Sequence, residues 1–186
     1  MSDKVILTAP VPEELIRTLV IGDQVLVNGI IYTARDAAHK RLMEMLAAGQ
    51  ELPVDFRGQI LYYVGPSPAR PGRVIGAAGP TTSTRMDVYT PTLLQLGLKA
   101  MIGKGKRGPE VIDALKKYTA VYLGATGGAG ALISKCVRAA AVVAFPDLGP
   151  EAIHRLEVEN FPTVVINDCR GGDLYEEGRR KYARAL

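Results

Sequence analysis

The chain has 186 residues, but it contains no tryptophan, only three phenylalanines and only two histidines. A surface that stacks nucleobases needs aromatic side chains among its basic residues, and no such aromatic-studded basic stripe is present. Lys and Arg outnumber Asp and Glu by 23 to 19, which gives a net charge of +4, yet the basic residues are scattered rather than grouped. We therefore expect an acidic substrate or partner, and no nucleic acid.

Cysteine is equally scarce, with Cys136 and Cys169 far apart in the sequence and without the spacing of metal ligands. In a cytoplasmic chain, two such cysteines are most simply reduced and structural. We therefore expect no metal site on this chain.

Long apolar runs are also missing: no uncharged apolar stretch of about 18 residues occurs, so we expect no membrane-spanning helix. The first residues lack a basic segment followed by an apolar run, so they do not resemble a signal peptide. These absences favour a cytoplasmic protein. The length favours a single domain over residues 1–186, with its core at about 5–168 and a charged tail at 173–186.

The order of apolar and polar residues predicts an α/β fold. Residues 23–33 alternate around Gly29 and indicate a hairpin-like pair of strands, while Thr33 is placed to cap a helix over residues 36–48. Further strands are predicted at 59–64, 74–76, 99–102, 120–123, 140–145 and 163–167. Further helices are predicted at 82–96 with an interruption at Pro91, at 109–117, at 128–137 and as one turn at 151–156. Early strands followed by alternating helices and strands are typical of layered α/β domains.

The most informative stretch is residues 79–87, GPTTSTRMD. Four consecutive hydroxyl residues precede Arg85 and an apolar helical pattern. The hydroxyl groups of Thr81 and Thr82 are placed either to cap a helix or to take part in chemistry. A helix N-terminus attracts anions, and Arg85 adds a group able to bind a carboxylate through two hydrogen bonds. The stretch predicts an anion site, while plain helix capping remains open.

Two further segments carry candidate ligands. Lys104 lies between glycines after an apolar strand, where a substrate can approach closely, whereas Lys106 and Arg107 are expected in a solvated loop. Arg35 precedes the predicted helix over residues 36–48, beside Asp36, and a weak surface ion pair is the simpler interpretation of that pair.

Three segments together, TARDAAHKR at residues 33–41, GPTTSTRMD at 79–87 and IGKG at 102–105, resemble the β-subunit or C-terminal part of iron–sulfur hydro-lyases. That group contains class I fumarases and L(+)-tartrate dehydratases. The resemblance extends from about residue 21 to residue 168, and the three segments in this order are highly specific as a set. It implies a swivelling β/β/α domain.

The resemblance also implies a function and site residues. Thr81 is the implied base, and Thr82, Arg35, Arg85 and Lys104 are the implied ligands of a four-carbon dicarboxylate. His39 is secondary, as a structural or interface residue.

The implied reaction is the reversible dehydration of malate to fumarate, with a 4Fe-4S cluster acting as Lewis acid. In that family three cysteines hold the cluster, which two cysteines cannot do. The chain is therefore expected to be a β-subunit that works with a cluster-binding α-subunit in a heterotetramer. An L(+)-tartrate dehydratase β-subunit and a non-catalytic anion-binding protein remain the alternatives.

Overall fold

The fold is organised around a β-sheet that closes on itself, seen in a computed structural model that describes residues 4–184. In this range the strands are β1 Val5–Thr8, β2 Gln24–Thr33, β3 Ile60–Tyr62, β4 Ala100–Gly103, β5 Val121–Gly124, β6 Val137–Ala144 and β7 Ile153–Asn167. The α-helices are α1 Glu13–Thr18, α2 Asp36–Ala47, α3 Thr90–Gln95, α4 Pro109–Tyr118, α5 Gly130–Ile133 and α6 Leu174–Tyr182. Single turns of 3₁₀-helix occur at Ser83–Met86, Ser134–Cys136 and Pro146–Glu151.

Strand pairing produces a closed, barrel-like ring of five strands. Strands β2, β3, β4 and β5 pair in parallel, in that order. The long strand β7 then runs antiparallel to both β5 and β2 and closes the ring. Outside the ring, β1 extends the sheet along the first half of β2, and β6 extends it along the first part of β7. The fold is thus mixed α/β, as the sequence predicts.

Two hydrophobic clusters lie on opposite faces of the ring strands. Along β3 and the residue after it the side chains alternate: Ile60 and Tyr62 belong to one cluster, whereas Leu61 and Tyr63 belong to the other. The first cluster gathers side chains from all five ring strands together with α1, and the second packs α2, α3 and α4 against the opposite face. Strands that are buried on both faces have nearly continuous apolar sequences, and β3, β4 and β5 have this pattern.

The predicted hairpin at residues 23–33 is wrong. The segment is one continuous strand, β2, and its pairing with β7 shifts register between Val27 and Gly29. Gly29 has a φ of +80°, so it forms a bulge that bends the strand without reversing it.

Thr33 does not cap α2. The N-cap position is Arg35, and no side chain caps the helix there. The Thr33 hydroxyl instead accepts a hydrogen bond from the His154 N–H at 3.0 Å, across the β2–β7 pair. The buried Thr33 thus stabilises the contact between two strands, and the local sequence does not predict this role.

Several other elements differ from the prediction. No strand forms at 74–76, the helix at 128–137 shrinks to α5 and the 3₁₀ turn Ser134–Cys136, and β7 replaces most of the expected turn at 151–156. Strands β1 and β7 and helix α1 depend on contacts with distant segments, so the local sequence pattern does not predict them fully.

Other predicted elements are confirmed. These are the helices at 36–48 and 109–117 and the strands at 99–102 and 120–123.

The charged tail forms α6, whose first turn is capped by the Asp173 carboxylate through the N–H groups of Tyr175 and Glu176. Residues 185–186 of the predicted tail lie outside the described residues. Of the helices within residues 4–184, none has the length and apolar character that crossing a membrane requires.

Candidate active site

Two of the predicted site residues, Arg35 and Lys104, lie at the carboxyl ends of parallel strands. Arg35 follows β2, Gly65 follows β3, Lys104 directly follows β4, and the loop containing Gly127 follows β5. Because β2 to β5 are parallel, these four segments emerge at one edge of the ring. Ligands of α/β proteins commonly bind at this edge, where strand ends expose backbone groups and loops.

The segment containing Thr81 lies between the ends of β3 and β4. The Thr81 N–H donates to the Tyr63 carbonyl at 2.7 Å, and the Thr81 carbonyl accepts from the Lys104 N–H at 3.3 Å. The Ser83 N–H then donates to the Lys104 carbonyl at 2.9 Å. The backbone therefore fixes Thr81, Thr82 and Lys104 beside one another at the edge of the sheet.

Neither threonine hydroxyl caps a helix. After Thr82 the chain makes one 3₁₀ turn, Ser83–Met86, and Thr82 at its N-cap position forms no side-chain cap bond. Within residues 4–184 the Thr81 hydroxyl, which is half-buried, makes no hydrogen bond. The helix predicted over 82–96 is divided into this turn and α3, with Pro91 in the first turn of α3. The argument from a helix dipole is therefore wrong, and the hydroxyl of Thr81 is left available for a ligand.

Arg35 and Arg85 approach the same carboxylate. Arg85 makes a bidentate ion pair with Asp36, with Nε–Oδ1 and Nη2–Oδ2 distances of 2.9 and 2.7 Å. Arg35 Nε lies 3.9 Å from Asp36 Oδ2, and Arg35 Nη2 lies 3.4 Å from Glu151 Oε1. The surface pair expected between Arg35 and Asp36 is thus the weaker of the two contacts of Asp36.

A glycine lies directly beside the Arg35 side chain. A Cβ atom at Gly65 would lie 2.6 Å from Arg35 Nη1 and 3.1 Å from its Cδ, so a larger residue there would displace the guanidinium. The Arg35 Nε atom is buried and has no hydrogen-bond partner among residues 4–184. A buried N–H without a partner is costly, and an incoming acceptor such as a carboxylate would satisfy it.

Lys104 extends over the loop after β5. The side chain is exposed, and a Cβ atom at Gly127 would lie 3.5 Å from its Cδ and 3.9 Å from its Nζ. In the part of the chain that the structure describes, Lys104 forms no ion pair. Its ammonium group is thus available to an anion at the same edge as Thr81.

His39 is a structural residue. It is fully buried, its Nδ1 lies 2.8 Å from the Arg35 carbonyl, and its ring stacks on Tyr89 and meets the edge of Tyr63. Burial lowers the pKa of His39 to about 4, with a smaller contribution from the charge of Arg107. His39 is therefore neutral near pH 7, and its buried position makes it a support of Arg35 rather than a residue at an interface.

Arg107 corrects another expectation, because it is not solvated. Its side chain is fully buried and pairs with Asp87 through Nε–Oδ1 at 2.7 Å. Its Nη2 donates to Thr90 Oγ1 at 2.7 Å, and its guanidinium lies over the rings of Tyr63 and Tyr122. Burial opposes its charge, yet these tyrosines and Asp87 together keep the pKa of Arg107 above its ordinary value. Lys106, in contrast, is exposed and pairs with Glu176, as expected for a solvated loop.

Two cavities lie away from the candidate site residues. A cavity of about 570 Å³ lies between residues 67–77 and 131–138, and another of about 360 Å³ lies between residues 66–75 and 140–154. Neither of the two is lined by Thr81, Arg85 or Lys104.

Three residues of this site were not identified from the sequence as site residues. Asp36 holds Arg85, Gly65 makes space for Arg35, and Glu151 both contacts Arg35 and accepts the Ala37 N–H at 2.9 Å. Asp36 lies inside the TARDAAHKR segment, where the sequence predicts a pair with Arg35 and not with Arg85. Glu151 is distant in sequence, and no local pattern connects it to the site.

With this arrangement established, comparison with known proteins assigns the family. Residues 1–178 match the family described as Fumarase C-terminus. The chain belongs to that family. Fumarate hydratase 2 of Leishmania major is 38% identical over 84% of the chain. The aerobic class I fumarate hydratase of Escherichia coli is 37% identical over the same share.

The relatives differ in how much of them the chain represents. The chain spans 28% of the Leishmania protein and 29% of the E. coli protein. A protein of Methanocaldococcus jannaschii that carries the name L(+)-tartrate dehydratase subunit beta is 40% identical, and here the chain spans 91% of the relative. This family therefore occurs both as part of a long chain and as a short chain named as a subunit.

Proposed function

We propose that the chain is the β-subunit of a two-subunit class I fumarate hydratase, which interconverts malate and fumarate together with a cluster-bearing α-subunit. The observation that carries the proposal is the meeting of Thr81, Arg85 and Lys104 with Arg35 at one strand edge. The swivelling β/β/α architecture, the heterotetramer and the cytoplasmic location belong to the same proposal.

The charges suit a substrate with two carboxylates. Each carboxylate of a dicarboxylate needs a cationic partner, and the edge offers two guanidinium groups and one ammonium group. Asp36 already neutralises part of this charge through its pair with Arg85 at 2.7 Å. A bound carboxylate would then compete with Asp36 for Arg85, while the unpartnered Nε of Arg35 and the Nζ of Lys104 remain available to it.

Thr81 is proposed as the base that removes the proton from carbon. A threonine hydroxyl is a poor base by itself, and an electropositive environment is needed to favour its deprotonated form. The backbone of Thr81 is bonded directly to that of Lys104, at 3.3 Å, and Arg85 follows on the same segment. In this proposal Lys104, and Arg85 once a substrate carboxylate displaces Asp36, would supply the required positive charge.

The described residues of this chain do not offer the ligands of an iron–sulfur cluster. Within residues 4–184 no group of three or more His, Cys, Asp or Glu side chains is arranged to hold a metal ion. Cys136 and Cys169 are both free thiols, and neither belongs to the edge that contains Thr81. We therefore assign the 4Fe-4S cluster to the partner subunit and derive no step on this chain from it.

The second candidate is the β-subunit of an L(+)-tartrate dehydratase. The observation that favours it is the M. jannaschii relative, whose length the chain nearly matches. Tartrate differs from malate by one hydroxyl group, and cationic ligands for carboxylates do not distinguish the two. No specific observation favours a non-catalytic anion-binding protein.

The test is to assay the chain alone and with a co-expressed α-subunit, after anaerobic treatment with iron and sulfide. The chain alone should remain colourless and inactive, and the pair should show a cluster spectrum and convert malate. Conversion of L(+)-tartrate in place of malate would select the second candidate. A stable cluster with activity on the isolated chain would contradict the two-subunit proposal.

A further inference from the structure

We infer that the buried Asp87–Arg107 ion pair is a positioning device that holds Arg85 and Lys104 in register with each other. The inference rests on the proposed function for the roles of Arg85 and Lys104. It concerns two residues that lie behind the edge rather than on it, because the Asp87 and Arg107 side chains are only 8% and 0% exposed.

The pair joins the two segments that carry the cations. Asp87 directly follows the turn Ser83–Met86, which contains Arg85, and Arg107 lies three positions after Lys104. Asp87 Oδ1 accepts from Arg107 Nε, and Asp87 Oδ2 accepts from the Gly108 N–H, each at 2.7 Å. One carboxylate thus holds the loop after β4 through both a side chain and the backbone.

Arg107 extends the connection to the start of α3. Its Nη2 donates to Thr90 Oγ1 at 2.7 Å, and the Thr90 hydroxyl in turn donates to the Met86 carbonyl at 2.8 Å. The guanidinium is therefore held at two points along residues 86–90. A planar guanidinium group held at two points restricts the position of the loop that carries it more strongly than the ammonium group of a lysine would.

A second set of contacts supports the beginning of the same loop. The Ser83 and Tyr122 hydroxyls are 2.9 Å apart, and the Tyr122 hydroxyl donates to the Gly105 carbonyl at 3.0 Å. Gly103 permits this packing, because a side chain there would collide with Ser83. The loop that begins at Lys104 is thus held by Ser83 at one end and by Asp87 at the other.

The glycines beside Lys104 explain why such a connection is needed. Gly105 has a φ of +82°, and glycine has more backbone freedom than any other residue. Backbone bonds to Thr81 and Ser83 hold Lys104 itself, whereas the loop that follows from Gly105 is held by the contacts of Tyr122 and Asp87. Buried ion pairs add little net stability compared with apolar packing, and in some proteins their role is to specify geometry, which is the role inferred for this pair.

The test uses Arg107→Lys, which keeps the charge but loses the fork, and Thr90→Val, which keeps the shape but removes the hydroxyl that accepts from Arg107 and donates to the Met86 carbonyl. In the isolated chain, amide hydrogen exchange should accelerate about tenfold or more at Lys104 and Gly108. In the complex with the α-subunit, the KM for malate should rise about tenfold with kcat nearly unchanged. In a Lys104→Ala variant, Arg107→Lys should raise the KM for malate far less than it does in the wild type, because the residue through which Arg107 acts is already absent.

Two controls separate positioning from general destabilisation. Arg138→Lys alters an exposed pair with Glu159 and should leave loop exchange and KM unchanged. Ile16→Val lowers stability from the other hydrophobic cluster and should lower the melting temperature without accelerating exchange at Lys104. Unchanged exchange in Arg107→Lys and Thr90→Val would overturn the inference.

Faster exchange with an unchanged KM in an active complex would also overturn it, since the loop would then move without affecting the substrate. If the wild-type complex converts neither malate nor tartrate, the proposed function fails. The exchange data alone then decide whether the ion pair holds the loop.

Discussion

Arg85 and Asp36 form a bidentate ion pair across 49 residues of sequence, with Nε–Oδ1 at 2.9 Å and Nη2–Oδ2 at 2.7 Å. The pair connects the GPTTSTRMD segment to the start of α2, where Arg35 lies. It therefore brings two of the predicted substrate ligands to one carboxylate. Both partners are partly exposed, so the pair itself is worth roughly 0–1 kcal/mol of stability.

Replacement of Arg85 by Ala should therefore damage function more than folding. We expect kcat/KM for malate to fall by roughly one to two orders of magnitude, because a charge-assisted contact of about 1.5–3 kcal/mol is lost. The change should appear mainly as a higher KM. Steady-state kinetics of the proposed two-subunit enzyme, together with a thermal melt, measures both effects. Normal kinetics in Arg85→Ala would remove Arg85 from the site.

Thr81→Ala should separate chemistry from binding. If Thr81 is the base, kcat should fall by about 10²–10⁴ while the affinity for substrate changes little. Because the Thr81 hydroxyl caps no helix, the loss of stability should stay below about 1 kcal/mol. Thr81→Ser is the matched control, since it keeps a hydroxyl group. A Thr81→Ala enzyme with near-normal kcat would exclude the role of base.

Gly130→Ala should displace the segment that leads to Thr81. A Cβ atom at Gly130 would lie 2.9 Å from the Gly79 nitrogen and 3.2 Å from its Cα, and backbone atoms cannot yield as a side chain does. We expect a loss of about 1–3 kcal/mol in stability and at least about a tenfold loss of kcat/KM.

Gly127→Ala is the control for this substitution, because its Cβ would make an ordinary contact of 3.5 Å with Lys104. Its stability should stay within about 0.5 kcal/mol of the wild type. Equal losses in chemical denaturation for the two variants would contradict the packing argument.

The buried His39 should make stability depend on pH. Its pKa is about 4 in the folded chain, lowered mainly by burial, against an ordinary value of 6.5. Between these values the unfolded chain binds the proton and the folded chain does not, so stability is present above 6.5 and is lost as pH falls towards 4. The loss between about pH 8 and pH 5 should be on the order of 2 kcal/mol.

Denaturant unfolding of wild type and His39→Asn at several pH values measures this contribution. Asn cannot titrate, and its amide can still donate to the Arg35 carbonyl that His39 Nδ1 contacts. The difference in unfolding free energy between the two proteins should therefore shrink as pH falls. A constant difference across the range would show that His39 has the same pKa in the folded and unfolded chains, as an imidazole exposed to solvent does.

Local patterns in the sequence predicted the elements whose stability is largely local. Helices α2 and α4 carry their apolar stripes within one segment, and β4 and β5 are short apolar runs. The sequence indicates a special backbone position at Gly29, but a glycine with positive φ is compatible with both a turn and a bulge. The predicted hairpin is therefore wrong, and the structure has a bulge. Pairing with β7 decided between them.

The sequence by itself determined the α/β class, the resemblance that leads to the family and the residue types of the site, because motifs and periodicity are properties of neighbouring residues. Only the tertiary structure decided that Asp36 pairs with Arg85, that Thr81 caps no helix and that Arg107 is buried against Asp87. These facts depend on which distant segments the closed ring brings together. Contacts between segments are set by packing of the whole sheet, which local sequence does not encode.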